Sequence, residues 1–291
     1  MRYAYFPGCS LGASASDYDL SLRTVCRALD IELVEVRNWV CCGASSAHAT
    51  SHLLSIGMPV LSLSHAEADG FDRLIAPCLA CQSRFKAANK EMREDLKVRE
   101  KIHRAFDYQY QGTVRVYHPL EVMVEDGMIE VIRSRVRNRL SGLKVACYYG
   151  CVLTRPPEVA QFDVCENPQS MDSIIEALGG TPLDWSYKTE CCGVSMTLTR
   201  SDIVLKLSND IFREAKEVGA HAIAVCCPLC QQANLDTRQI QIEDRYRVQY
   251  GIPVIYFTQL MGLAFGAFSR ELGLDKLITS PRDALGICGL M

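Results

Sequence analysis

The sequence lacks an apolar run of the roughly 20 residues that a bilayer-crossing helix needs. Its longest candidate, 252–268, is interrupted by Pro253, Thr258 and Gln259. The opening MRYAYFPGCS carries one charge and breaks its short apolar stretch at Pro7, so it does not read as a secretory signal. Surplus positive charge is missing too. Lys and Arg number 31 against 34 Asp and Glu, net −3, which leaves no global field to hold nucleic acid or an anionic membrane. No G-x-G-x-x-G follows a strand-like segment, so the nicotinamide and flavin fingerprint is lacking. So is the local C-x2-C-x2-C-x3-C-P run of ferredoxin-type relays. The expectation is a cytoplasmic chain with no nucleic-acid partner, no membrane span and no electron source of its own.

What the sequence has in excess is cysteine, 15 in 291 residues. A disulfide scaffold is normally short, exported and even in cysteine count. In a reducing compartment, clustered cysteines point instead to metal binding or redox chemistry, with buried thiols as the ordinary alternative at each position.

Position separates the two, because the chain is written twice. Tyr5-Phe6-Pro7-Gly8-Cys9 returns as Cys147-Tyr148-Tyr149-Gly150-Cys151, and Cys41-Cys42-Gly43 as Cys191-Cys192-Gly193. Pro77-Cys78-Leu79-Ala80-Cys81 returns as Cys226-Cys227-Pro228-Leu229-Cys230. Tyr117 and Tyr256 end the matching segments 114–117 and 253–256. The spacings are C-x31-CC-x35-C-x2-C and C-x39-CC-x34-C-x2-C, which absorb ten of the 15 cysteines. Cys26, Cys147, Cys165, Cys226 and Cys288 fall outside and read as ordinary thiols, Cys226 because it aligns with Pro77.

Short β-rich runs at 2–6, 32–36, 73–76, 114–117, 143–148 and 222–226 alternate with segments of helical period. Over 16–29, Tyr18, Leu22, Val25, Cys26 and Leu29 form one helical face, with Ser16 or Asp17 as its cap. A further helix is expected after Cys230, and the charged stretch 86–101 reads as a solvated helix face. The fold class is α/β: two pseudo-twofold-related repeats, 1–140 and 141–291, each a small mostly parallel sheet flanked by helices.

A strand end, a CC pair and a CxxC turn meet naturally at the carboxyl edge of a parallel sheet. Neighbouring cysteines reach one centre only if the backbone bends, which Gly43 and Gly193 permit. A CxxC that opens a helix aims free N–H groups at its sulfurs. Five cysteines per half exceed the four of closed zinc or an ordinary cubane cluster, which favours a larger iron–sulfur assembly and leaves zinc as the rival. Vicinal disulfides at the CC pairs are disfavoured by strain.

These motifs resemble the duplicated cysteine-rich CCG domain family, in particular the B subunit of heterodisulfide reductase from methanogenic archaea. YYGCVLT at 148–154 and FTQLMG at 257–262 extend the likeness over nearly the whole chain. The resemblance implies two noncubane [4Fe-4S] clusters. One is bound by Cys9, Cys41, Cys42, Cys78 and Cys81, the other by Cys151, Cys191, Cys192, Cys227 and Cys230. It implies reduction of the coenzyme M–coenzyme B heterodisulfide to two thiols, with the clusters facing each other and taking one sulfur each. It also implies two partners within heterodisulfide reductase, one ferredoxin-like (the C subunit) and one flavin-containing (the A subunit). The alternatives are a CCG subunit of glycolate, lactate or glycerol-3-phosphate oxidation, and a zinc-stabilised interaction module. An anionic substrate needs cations, for which Arg155 and Lys188 are candidates near the second set. His118 is a candidate proton donor, since histidine titrates near neutrality. The apolar stretches 58–63 and 284–291 are candidate docking surface.

Overall fold

The computed structural model describes residues 1–44, 47–106, 108–230 and 234–290. Among the described residues eight short strands appear in chain order: β1 (Arg2–Tyr5), β2 (Glu32–Glu35), β3 (Arg73–Ile75), β4 (Arg115–Tyr117), β5 (Lys144–Tyr148), β6 (Thr181–Pro182), β7 (Ala222–Val225) and β8 (Val254–Tyr256). They form two four-stranded parallel sheets, ordered β2-β1-β3-β4 and β6-β5-β7-β8. Their composition explains this. The strand β7, Ala-Ile-Ala-Val, is buried throughout, and β1 beyond Arg2 likewise. Strands apolar on both faces belong to a sheet covered by helices on both sides.

Each sheet changes direction between its first and third strands. The chain leaves β1 for β2 on one side, then crosses to β3 on the other, and β5, β6 and β7 repeat the pattern. Helices on opposite faces leave a crevice at the carboxyl ends of those two strands.

The strand registers refine the repeat. Leu74 pairs with Val116, and its equivalent Ile223 pairs with Val254. His118, not Tyr117, is therefore the counterpart of Tyr256, and the two residues open the helices Pro119–Met123 and Phe257–Ala264.

The halves share one apolar core. Tyr3, Leu22 and Leu120 of the first half belong to the same buried cluster as Val145, Ile223 and Leu260 of the second. A smaller cluster, with Phe6, Val60 and Phe85, lies within the first half. Across the seam, helix Ser16–Ala28 packs on helix Phe257–Ala264, and helices Pro119–Met123 and Met128–Arg135 pack on Ser170–Ala177. The Tyr18 ring stacks on Tyr256 at 4.1 Å, 7° from parallel, and Ser21 Oγ lies 2.7 Å from Thr258 Oγ1.

Four expectations change. Helix Ser16–Ala28 starts at Ala15 with no side-chain cap; Asp17 is instead buried in its first turn, against Gly273. The charged stretch breaks at Asp95, whose carboxylate accepts the N–H groups of Lys97 and Val98 and starts helix Leu96–Ala105. Lys86 turns inward, donating to Glu121 Oε1 at 2.9 Å and to the Ala160 carbonyl at 2.6 Å. The stretch 58–63 lies inside helix His52–Ala68 with Pro59, Val60 and Leu63 buried, so it is core and not docking surface. At the carboxyl end, helix Arg282–Gly286 buries Ala284 and Leu285; Met291, like 231–233 after Cys230, lies outside the described residues. Helix Gln239–Tyr246 follows them.

Candidate metal centre: two sets of five cysteines

The crevice strands run directly into cysteines. Cys9 and Cys78 follow β1 and β3, and Cys151 and Cys227 follow β5 and β7. Cys78 is the N-cap of helix Leu79–Glu94, which puts Cys81 in the first turn, where backbone N–H groups have no helical partner. The CC pairs bend at Gly43 (φ 74°) and Gly193 (φ 78°). A Cβ at Gly43 would come within 2.7 Å of Ala47 Cβ, and one at Gly193 within 3.0 Å of Leu207 Cδ1. Only glycine satisfies both the conformation and the space. The turns send the Gly43 N–H back to Cys41 Sγ at 3.4 Å and the Gly193 N–H to Cys191 Sγ at 3.3 Å.

Most of the sulfurs meet one another in succession. Cys41 and Cys81 both hydrogen-bond Cys42, and Cys81 hydrogen-bonds Cys78. Cys78 then meets Cys227 across the seam, Cys227 meets Cys230, and Cys230 Sγ lies 3.6 Å from Cys192 Sγ. Cys151 pairs with Cys191. Cys9, Cys41 and Cys191 are exposed, Cys151 is half-buried and the other six are buried. Among the described residues no three His, Cys, Asp or Glu side chains close around one point as a single ion requires. Thiols strung out in this way, each set bordered by backbone N–H donors, fit a polynuclear group, whose ligand positions lie on several metal atoms.

Packed thiols divide their protons unequally. The Cys81 thiol holds Cys42 down to about 7, and the Cys151 thiol holds Cys191 down to about 6. Cys230 and then Cys78 hold Cys227 well below the ordinary thiol range, helped by the N–H groups of Cys230 and Leu79. Cys192 is lowered by Cys230, with Asn234 assisting. The donors move the opposite way: Cys78 is raised by its bond to Cys227, Cys81 by its bond to Cys42, and Cys230 by its bond to Cys192. Each set therefore offers thiolate, the form that ligates metal.

The remaining cysteines make other contacts. Cys26 and Cys147 are buried in the core. The Cys226 sulfur reaches the Tyr149 carbonyl at 3.9 Å, while its own carbonyl accepts the Tyr18 hydroxyl at 3.1 Å. Cys165 donates to the Thr154 carbonyl and Cys288 to the Leu285 carbonyl.

His118 is fully buried. Its Nε2 lies 3.0 Å from the Pro77 carbonyl and 2.9 Å from that of Cys226, and its Nδ1 accepts the Leu120 N–H. Burial pushes it down to about 4, so it is neutral at pH 7 with both nitrogens engaged. This geometry ties the two CxxC turns together. Lys188 donates to Asp172 at 2.8 Å in a buried ion pair, and its carbonyl accepts the N–H groups of Tyr149 and Gly150 just before Cys151. Arg155 is half-exposed and pairs with Glu166 at 2.9 Å, with Thr189 within 3.3 Å. Sequence reasoning missed Asn234, whose amide donates to Cys192 Sγ at 3.3 Å. The available signal was its position four residues past Cys230, where the first half has Phe85.

Comparison with known proteins accords with this arrangement. A family described as a cysteine-rich domain, CCG, matches residues 3–86 and 145–233. The chain is 31% identical to the 8-methylmenaquinol:fumarate reductase membrane anchor subunit of Wolinella succinogenes, over 94% of this chain and 95% of that one. It is 24% identical to the B subunit of the ferredoxin/F420H2-dependent CoB-CoM heterodisulfide reductase of Methanosarcina acetivorans, covering 94% and 93%. Among solved structures, a hypothetical protein from Helicobacter pylori matches 96% of this chain with TM-score 0.77 at 12% identity; this chain spans 52% of that one, and the likeness is one of fold. No described helix is long and apolar enough to cross a membrane. With the domain matched twice, once around each five-cysteine set, the chain belongs to the cysteine-rich CCG domain family.

Proposed function

We propose that the chain is an iron–sulfur subunit of a cytoplasmic oxidoreductase complex. One cluster is held by Cys9, Cys41, Cys42, Cys78 and Cys81, the other by Cys151, Cys191, Cys192, Cys227 and Cys230. The observation that carries this reading is the junction of two five-thiol sets at the Cys78–Cys227 contact. Noncubane [4Fe-4S] clusters bound there would supply one-electron steps at neighbouring centres. The chain's own residues prepare the place. The Cys230 and Cys78 thiols, with the Cys230 and Leu79 N–H groups behind them, hold Cys227 well below the ordinary thiol range. His118 fixes the two CxxC turns against each other. The turns at Gly43 and Gly193 leave Cys41 and Cys191 exposed, so a substrate or partner meets the sets at that rim. Electrons reach the rim from a partner, in this reading a ferredoxin-like subunit fed by a flavin-containing one.

The 31% identity over 94% of the chain favours electron transfer within a quinol-linked reductase complex. The second reading is reduction of the coenzyme M–coenzyme B heterodisulfide, RS–SR′ + 2e⁻ + 2H⁺ → RSH + R′SH. It is favoured by the joined pair of sites, because a disulfide has two equivalent ends, and by relatives at 23–25% identity. The discriminating experiment uses the anaerobically isolated complex. Reduced viologen is offered with the heterodisulfide, and a reduced menaquinone analogue with fumarate. Turnover of fumarate alone supports the first reading and of the heterodisulfide alone the second; a folded chain without iron would defeat both.

A further inference from the structure

The two halves place different chemistry behind equivalent sulfurs. Phe85 stands four residues past Cys81, and Asn234 four past Cys230. Phe6 and Tyr148 occupy equivalent positions three residues before Cys9 and Cys151. In the first half Phe6 meets Phe85 edge to face at 4.7 Å and Trp39 at 5.2 Å, an apolar backing. In the second half the fully buried Asn234 donates from Nδ2 to Cys192 Sγ at 3.3 Å and to the Cys192 carbonyl at 3.0 Å. Thr197 Oγ1 donates to Asn234 Oδ1 at 2.8 Å, so it is the amide's NH2 that faces the sulfur. The backbone donors are matched: Gly43 and Ala44 serve the first CC pair as Gly193 and Val194 serve the second. Among the described residues, no side-chain N–H or O–H meets a sulfur of the first set.

We propose that Asn234 makes the two sites unequal electron acceptors, so that the second half is reduced first and draws electrons from the first. This rests on the cluster reading above. A donor aimed at a ligating sulfur withdraws charge and stabilises the reduced state, which raises the potential. Solvent exposure also raises it and favours the first half, where Cys9 and Cys41 are both exposed against Cys191 alone. That difference concerns one sulfur at the wet rim. Asn234 acts on Cys192, which is 2% exposed, where low local dielectric makes an oriented dipole count for more. The donor decides the order. The step is a single electron leaving the first site, which is oxidised, and entering the second, which is reduced; the Cys78–Cys227 contact lies between them and no proton is required.

The test is an anaerobic redox titration of the iron-loaded protein followed by electron paramagnetic resonance, with signals assigned through Cys42→Ala and Cys192→Ala. The expected result is that the second-half signal develops at the higher potential. Asn234→Leu should lower its midpoint by about 59 mV or more, a tenfold change in reduced-to-oxidised ratio, with the first-half midpoint unmoved. Thr197→Val, which keeps the amide but frees it, should give a smaller shift in the same direction. Asn234→Gln should restore part of the loss. If Asn234→Leu fails to load iron, the Thr197→Val and Asn234→Gln midpoints decide. Coincident midpoints in the unmodified protein, or variants without a shift, would overturn the inference and leave the cluster reading standing. Absence of iron from the unmodified protein would overturn both.

Discussion

Replacing Lys188 by methionine should destabilise the second half more than any surface change, and the structure sets the size of the effect. Lys188 Nζ lies 2.8 Å from Asp172 Oδ1, and the two side chains are only 5% and 8% exposed. Their gross attraction is about 6 kcal/mol at an effective dielectric near 20, but most of that offsets the cost of desolvating both charges. Methionine fits the volume and leaves Asp172 as an uncompensated buried carboxylate, still reached by the Tyr149 hydroxyl and the Cys147 thiol. Such a loss costs about 3–5 kcal/mol. The carbonyl of residue 188 still has to receive the Tyr149 and Gly150 N–H groups that position Cys151, so the strain falls on the second cysteine set. Urea denaturation should show a midpoint lowered by about 1–2 M. The double variant Lys188→Met/Asp172→Leu should recover most of the loss, because the penalty lies in the orphaned charge. A single variant that costs less than about 1 kcal/mol, or a double variant worse than the sum of the singles, would refute this reasoning.

Three further outcomes are expected. Cys227→Ala should lose second-half iron, whereas Cys226→Ala should keep it and lose about 1–2 kcal/mol of stability; equal iron in both variants would reverse the ligand assignment. Gly43→Ala should cost about 1–3 kcal/mol for its left-handed φ and more for the 2.7 Å approach to Ala47 Cβ, read as a lowered thermal midpoint together with altered metal loading. On acidification, two buried groups oppose each other. His118, lowered to about 4, contributes stability that is present above the unfolded value near 6.5 and is lost as pH falls through 4. Asp17, raised to about 6 by burial and by the nearby Asp236 carboxylate against the opposing pull of Lys276, binds its proton more readily when folded and so gains stability as pH falls through 6. Asp17→Asn removes the gain, so between pH 7.5 and 5.5 its stability should fall about 1 kcal/mol more than that of the unmodified chain; parallel profiles would contradict the assignment.

Much of this architecture is legible in the sequence because the repeat supplies its own control. Two copies of a strand entering Gly-Cys, a CC-Gly turn and a CxxC helix start leave few topologies, and both sheets run in the same strand order. What escapes the sequence is long-range. Nothing local marks Lys86 as a half-buried partner of Glu121, because the charges around it keep helical spacing on a solvated face. Residues 58–63 read as apolar surface because helix His52–Ala68 is apolar over much of its circumference, and only packing against helix Leu79–Glu94 shows which side is buried. Sequence alone pairs Tyr256 with Tyr117, one residue short of His118, because both segments carry a tyrosine there; the ladder register, which a sequence does not display, resolves the equivalence. Asn234 escapes for a similar reason. Its partner sulfur is Cys192, distant in sequence, and a polar residue where the other half has phenylalanine carries no motif of its own.

The central claim is that two five-cysteine sets each hold a cluster, and the direct measurement is the iron and acid-labile sulfide content of the anaerobically purified chain. About eight of each per chain are expected, four for each set, falling by about half in Cys192→Ala. Stoichiometric zinc without sulfide, or a folded chain in which Cys192→Ala leaves the iron unchanged, would contradict it.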